Sequence, residues 1–161
     1  DYFYALLKVT LFFEKVSFDI RMYSQEFIEE MSEPFSYGQK GSSAMPHKKN
    51  PVLCENICGL ARLYKSYMQT AIDNCLTLFE RDISHSSNER IIFEDSAHIA
   101  SFGLRRLNRV LKNLNINVNK CTENVEKVKQ KLESQDALNL LISSGYSRKE
   151  AHDLSQTLTQ S

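Results

Sequence analysis

The chain has 161 residues, with Lys+Arg and Asp+Glu balanced at 20 each, 42% hydrophobic residues and 25% charged residues. This length allows one domain with a real core, or pieces of two domains. The zero net charge gives no general reason to expect nucleic acid or a membrane surface as a partner, and no apolar run approaches the roughly 20 residues of a membrane span.

The chain begins with a pattern typical of a long helix. Apolar residues recur at three- to four-residue spacing from Phe3 to Ile20, which predicts a helix to about Met31. The next segment, Ser32–Lys49, lacks this periodicity and contains several of the few glycines and prolines. It is predicted to be a loop, and we expect it to be the most mobile internal segment without ligand.

A second long helix follows this loop. Pro51 suits the first position of a helix, and Asn50 before it suits the N-cap. Apolar periodicity then continues to about Asn74. A break is predicted at Cys75–Phe79.

A third helix is predicted to begin near Asp82 or Ser84, either of which is a suitable cap, and to continue to about Leu114. Long helices with apolar residues on more than one face suit a large bundle. The sequence therefore predicts an all-α fold, a long-helix bundle with two or three long helices before about residue 115 and no more β-structure than a short hairpin.

A domain boundary is predicted at 113–120, where three asparagines interrupt the helical periodicity. Residues 1–116 would then form part of a helical-bundle domain that includes the loop at 36–51. Residues 117–161 would begin a small helical C-terminal domain that is incomplete. The missing initiator Met and the helix-like pattern at the C-terminus indicate an internal piece of a longer protein.

Two or three shorter helices are predicted in this second part. Thr122 is expected to open one of them, and Gly145 to end the next. The string from Ser147 to Glu150 resembles a capping box that opens the last helix.

The four cysteines are interpreted as free, mostly buried thiols: Cys54, Cys58, Cys75 and Cys121. Cys54 and Cys58 are four residues apart on a predicted helix, a spacing that suits a metal, but no second pair or histidine cluster completes a zinc set. Free thiols indicate a reducing, cytoplasmic setting.

The first motif that carries chemistry is GSSAMPHKKNP, residues 41–51. Ser42 and Ser43 follow a glycine, and Lys48 and Asn50 supply a fixed positive charge and an amide that both donates and accepts. Such a set can hold a carboxylate and move a proton. The alternative interpretation is an ordinary Gly/Ser/Pro surface loop.

The second motif is ERDISHSSNER, residues 80–90. Ser86 and Arg90 share a helix face, with Arg81 just outside that turn, and arginines with a hydroxyl at a helix start suit a phosphate or carboxylate. The alternative is a solvated face with Glu80–Arg81 and Glu89–Arg90 as surface pairs. An out-and-back pair of helices would return this motif near the first one.

The first motif closely resembles the signature loop of the fumarase/aspartase superfamily of lyases, GSSxMPxKxNP. Together with GQKGSSAMPHKKNP, the second motif resembles the bacterial-type adenylosuccinate lyases within that superfamily. The resemblance extends from about Asp1 to the end of the chain and is weak after Asn115.

The resemblance implies elimination of fumarate from adenylosuccinate, giving AMP, and from the carboxamide precursor SAICAR, giving AICAR, in purine biosynthesis. It implies no metal or organic cofactor. It also implies a homotetramer whose central helices form one bundle and whose active sites are shared between subunits.

Residue by residue, the resemblance assigns the general base to Ser42, with Ser43 as the fallback. Lys48 and Asn50 would hold the succinyl carboxylate, and Glu55 would orient the catalytic groups. The residues that would contact the nucleotide and its phosphate are Arg81, Ser86 and Arg90.

This sequence departs from the family pattern in its histidines, because none of the four matches the general acid: His47, His85, His98 and His152. The acid is expected from a segment outside this chain, so the piece alone is expected to be inactive. Two alternatives remain open: a sister lyase acting on another succinyl-type substrate, and a non-catalytic helical oligomerisation module.

Overall fold

The structure, a computed structural model, describes residues 1–35 and 50–159, apart from the side chains of 130–134 and 156–159. These residues are mostly helical, which confirms the predicted all-α class. The helices are α1 (Tyr2–Tyr23), α2 (Val52–Asp73), α3 (Ser84–Lys112), α4 (Val118–Ser143) and α5 (Arg148–Thr159). None of these helices has the length and apolar character needed to cross a membrane. The chain forms two compact units, Asp1–Ile116 and Asn117–Ser161.

In the first unit, each of α1, α2 and α3 packs against the other two. Their shared core consists of buried side chains from all three helices: Phe13, Ile57, Ala61, Tyr64, Ile99 and Leu107. The Tyr64 hydroxyl donates a hydrogen bond to the carbonyl of Phe3 at 2.8 Å, so the polar end of the ring is satisfied. Burial raises the pKa of Tyr64 to about 12.

Helices α1 and α3 are in close contact where Gly103 faces Phe13. A Cβ atom at position 103 would lie 2.7 Å from both Cε1 and Cζ of the Phe13 ring. Because Phe13 is fully buried, the ring has little room to move away. Any larger residue at position 103 would therefore force the Phe13 ring to shift within the core.

The first helix is shorter than predicted, since it ends at Tyr23 and not near Met31. The Ser24 hydroxyl donates to the carbonyl of Ile20 at 2.5 Å, which offers the last turn a side-chain partner. The chain then turns, with Glu29 in the left-handed region at φ 54°.

A two-residue antiparallel ladder follows, between β1 (Met31–Ser32) and β2 (Asn115–Ile116). It joins the chain just after α1 to the chain just after α3. Among the described residues, this is no more β-structure than the sequence prediction allowed. The predicted mobility of Ser32–Lys49 is not tested, because residues 36–49 lie outside the described residues.

Helices α2 and α3 lie close to their predicted bounds. Neither candidate cap for α3 is at the N-cap position, which Ile83 occupies, although Oδ1 of Asp82 accepts the backbone N–H of Ser84 at 2.9 Å. Residues 74–83 connect the two helices, and the predicted break falls within them.

The described part of the second unit contains two helices, α4 and α5, which agrees with the predicted two or three, although α4 is long at 26 residues. Asn117, not Thr122, opens α4, because its Oδ1 accepts the N–H of Lys120 at 3.1 Å. Gly145 follows the end of α4 at φ +97°, as a helix-ending glycine should. The predicted capping box opens α5: the Ser147 N–H donates to Glu150 at 3.0 Å, and the Glu150 N–H donates to the Ser147 hydroxyl at 3.3 Å.

Candidate active site

A shallow pocket of about 280 Å³ lies at the connection between α2 and α3. The second motif supplies most of its wall, and the lining residues are Thr77, Glu80, Arg81, Asp82, Ile83, His85, Ser86 and Glu89. One guanidinium and three carboxylates therefore face the same space. Such a mixture suits a ligand that carries both an anionic group and hydrogen-bond donors.

Ser86 and Arg90 of this motif are hydrogen bonded on one face of a helix. In α3, Arg90 donates from Nη2 to the Ser86 hydroxyl at 3.2 Å. This contact orients the guanidinium toward the turn that lines the pocket. Arg81, in the connection, and Arg90, in α3, are both exposed, so both arginines are accessible to a ligand.

The first N–H groups of α3 are partly occupied by protein acceptors. The Ser84 N–H donates to Asp82, and the Ser86 N–H donates to the carbonyl of Ile83 at 3.1 Å. Hydrogen bonds from the Ser84 hydroxyl and N–H lower the pKa of Asp82. An anion in this pocket would therefore depend on the arginine side chains and the Ser86 hydroxyl more than on the helix end.

His85 lines this pocket, and its ring is held by the connection between α2 and α3. Its Nε2 lies 2.9 Å from the carbonyl oxygen of Leu76, which can only accept, so Nε2 carries the proton. The contact joins the start of α3 to the start of the connection.

The start of α2 is capped by Glu33, a residue that the sequence reasoning missed. Its carboxylate is 3% exposed and accepts the backbone N–H groups of Leu53 at 3.0 Å and Cys54 at 2.5 Å. The prediction that Asn50 caps this helix is wrong, because Pro51 occupies the cap position and a distant carboxylate satisfies the N–H groups. No spacing rule signals a cap that comes from 20 residues earlier.

The described part of the first motif is its C-terminal end. Asn50 is half-buried, two residues before α2 begins at Val52, and Glu55 is exposed in the first turn of α2. Ser42, Ser43 and Lys48 lie outside the described residues.

The described ends of the two motifs lie at opposite ends of α2. Asn50 precedes a helix of 22 residues, and Arg81 follows it. At 1.5 Å per residue, such a helix is roughly 33 Å long. The expected out-and-back return is therefore wrong for these residues, because the second motif begins at the far end of α2.

The cysteines differ in exposure. Cys54 and Cys58 are buried, whereas Cys75 is exposed and Cys121 is half-buried, so the prediction of mostly buried thiols holds for two of the four. Burial, followed by the hydrogen bond with Glu33, raises the pKa of the Cys54 thiol, which therefore stays protonated. Within residues 1–35 and 50–159, no three potential metal ligands cluster.

The sequence is similar to known lyases. A family model described as lyase matches residues 1–63. The adenylosuccinate lyase of Thermotoga maritima is 38% identical over 155 residues, 96% of this chain and 36% of that protein. The adenylosuccinate lyase of Bacillus subtilis is 40% identical over 156 residues, 97% of this chain and 36% of that protein. The chain thus spans about a third of the length of these relatives.

The fold is also similar to that of two solved enzyme structures. The 3-carboxy-cis,cis-muconate lactonizing enzyme from Pseudomonas putida has a TM-score of 0.80 at 24% identity, covering 99% of this chain and 35% of that one. The fumarate lyase from Mesorhizobium sp. BNC1 has a TM-score of 0.77 at 23% identity, covering 96% and 33%.

Proposed function

We propose that this chain belongs to the fumarase/aspartase superfamily of lyases and is a segment of an adenylosuccinate lyase. The observation that carries the proposal is the 38% identity to the Thermotoga maritima enzyme over 155 of the 161 residues. Similarity to other superfamily members at the level of fold alone is far less specific.

The full-length protein would release fumarate from adenylosuccinate, giving AMP, and from SAICAR, giving AICAR. In this trans β-elimination, a base removes the proton next to a carboxylate, and the electron pair accumulates on that carboxylate as an aci-carboxylate. The pair then forms the double bond of fumarate as the C–N bond breaks. An acid protonates the departing nitrogen.

Ser42 would act as the base, with Ser43 as the alternative. A serine hydroxyl is a weak base at neutral pH, so neighbouring groups must stabilise its deprotonated form. Lys48 and Asn50 would bind the succinyl carboxylate and the negative charge that develops on it. Glu55, in the first turn of α2, would orient these groups.

Arg81, Ser86 and Arg90 would bind the nucleotide end of the substrate. The Ser86–Arg90 contact of 3.2 Å leaves further guanidinium donors for phosphate oxygens. The carboxylates of the same pocket, Glu80 and Glu89 among them, can accept hydrogen bonds from hydroxyl or amino groups. A nucleotide offers both kinds of group.

The active site would be completed by more than one copy of the chain. Asn50 and Arg81 lie at opposite ends of a helix roughly 33 Å long, too far apart for one small substrate. The first unit also exposes large apolar side chains near the pocket, with Leu76 83% and Phe79 86% exposed. A homotetramer that shares its sites between subunits would cover such surfaces.

The general acid would come from outside this chain, so we expect no activity from the chain by itself. The reduced cysteines suit a cytoplasmic enzyme. The similarity of fold to a muconate lactonizing enzyme keeps a sister lyase or cycloisomerase as the second candidate.

The test is a spectroscopic assay of the full-length protein with adenylosuccinate and, in parallel, SAICAR. The proposal expects fumarate release from both, and loss of the release in Ser42→Ala. Absence of turnover with both substrates, in a folded protein, would refute it. Turnover of a different succinyl compound would instead support the sister-lyase alternative.

A further inference from the structure

Asn74 and Asn88 form a reciprocal pair of side-chain hydrogen bonds. Asn74 donates from Nδ2 to Oδ1 of Asn88 at 2.6 Å, and Asn88 donates from Nδ2 to Oδ1 of Asn74 at 3.1 Å. Both residues are half-buried. Asn74 follows the last residue of α2, and Asn88 lies in the second turn of α3.

The pair closes the base of the connection that carries the pocket. Residues 75–83 leave α2 and return to α3, and the two amides join the two helices where this connection departs. The bond between His85 and the carbonyl of Leu76 is a second link across the same connection. Two reciprocal amide bonds are satisfied together in only a narrow range of relative positions, because each donor and acceptor direction is fixed.

We propose that Asn74 and Asn88 are positioning residues of the nucleotide pocket. Neither lines the pocket, but the pair sets the position of the connection that carries Arg81 relative to the turn of α3 that carries Ser86 and Arg90. This inference rests on the proposed function of the pocket, and it concerns binding of the nucleotide end, not the elimination step.

The experiment compares Asn74→Ala, Asn88→Ala and the double variant of the full-length protein by steady-state kinetics with adenylosuccinate. Each single variant is expected to raise KM about three- to tenfold, the equivalent of about one hydrogen bond, with kcat nearly unchanged. The KM of the double variant should not exceed that of the single variant with the higher KM, because either substitution already breaks the pair.

The control is Asn113→Ala, at the other end of α3. Its Nδ2 donates to the carbonyl of Arg109 at 3.0 Å, so the variant also removes an asparagine amide contact from the same helix. It should leave KM unchanged. Melting temperatures of all variants separate loss of fold from loss of positioning. A general structural defect would lower both Tm and kcat of the Asn74 and Asn88 variants, whereas lost positioning raises KM alone.

Unchanged KM in both single variants, or additive losses in the double variant, would overturn the inference. If the wild-type protein does not cleave adenylosuccinate, the proposed function fails, and calorimetric titration with AMP and with inorganic phosphate then tests the pocket directly. Weaker binding in Asn88→Ala than in Asn113→Ala would support the positioning role for another phosphate ligand. No binding of either probe to the wild type would reject both proposals.

Discussion

Glu33 and Cys54 are joined by a hydrogen bond of 2.5 Å, in which the buried carboxylate accepts the backbone N–H near the start of α2. The second carboxylate oxygen accepts the N–H of Leu53 at 3.0 Å. The two partners are 21 residues apart in the chain and lie on either side of residues 36–49. One side chain therefore holds together both ends of the segment that contains Ser42 and Lys48.

The first prediction concerns this contact. Glu33→Ala should lower the free energy of unfolding by roughly 2–3 kcal/mol, because it leaves two N–H groups without their buried, charged acceptor. Glu33→Gln should lower the free energy of unfolding by less, since its one side-chain oxygen can still accept a hydrogen bond. Chemical denaturation of the full-length protein measures both changes.

The control for this prediction is Glu26→Ala, an exposed glutamate in the turn after α1. It should leave stability within about 0.5 kcal/mol of the wild type. Equal effects of Glu26→Ala and Glu33→Ala would show that the carboxylate at position 33 is not a cap.

The second prediction concerns the contact of α1 with α3. Gly103→Ala should destabilise the protein by about 1–3 kcal/mol, because its Cβ would lie 2.7 Å from the fully buried Phe13 ring. Thermal unfolding measures the change as a lower Tm.

Gly59→Ala is the matched variant for that experiment, with the opposite expected sign. Gly59 lies inside α2, and a Cβ there would meet nothing within 4 Å. Alanine at this position should raise stability by about 0.5–1 kcal/mol, because it restricts the unfolded chain and favours the helix. A higher Tm for Gly103→Ala than for Gly59→Ala would contradict the packing described here.

The third prediction separates chemistry from binding in the full-length enzyme. Ser42→Ala should reduce kcat by about 10²- to 10⁴-fold with nearly intact substrate binding, because a general base acts in the transition state. Arg81→Ala or Arg90→Ala should weaken affinity about ten- to a hundredfold, since each removes a charge-assisted contact present before reaction. Lys48→Ala should do both.

Kinetics and calorimetry together distinguish these outcomes. Near-normal kcat in Ser42→Ala would transfer the role of base to Ser43. Arginine variants that lose kcat at unchanged affinity would place Arg81 and Arg90 in the chemistry instead of the nucleotide contact.

Local signals in the sequence predicted the helices well and the long-range contacts poorly. Apolar periodicity predicted the three long helices, and the Ser147–Glu150 capping box is formed, because both depend on neighbours within one or two turns. The Glu33 cap and the Asn74–Asn88 pair join residues 20 and 14 positions apart, respectively, and no periodicity marks them. The end of α1 was predicted too late, because apolar side chains continue in sequence beyond the turn at Ser24.

The candidate site was predicted at the level of residue types but not of geometry. The four-residue spacing of Ser86 and Arg90 correctly placed them on one helix face, where they are in contact. The relative position of the two motifs was predicted wrongly although α2 has nearly its predicted length, because the second motif lies at the turn between α2 and α3 and not after the return along α3.

The central claim is that the two motifs serve one lyase site assembled from different copies of the chain. The most direct measurement is activity on adenylosuccinate after Ser42→Ala and Arg81→Ala subunits of the full-length protein are unfolded and refolded together. At substrate concentrations well below KM, we predict that this mixture is more active than the two variants refolded separately, because a hybrid site can combine Ser42 from one copy with Arg81 from another, whereas a Ser42→Ala and Lys48→Ala mixture gains nothing over its parents. Hybrid oligomers that form, as seen by native mass spectrometry, yet show no such gain in the first mixture would contradict the claim.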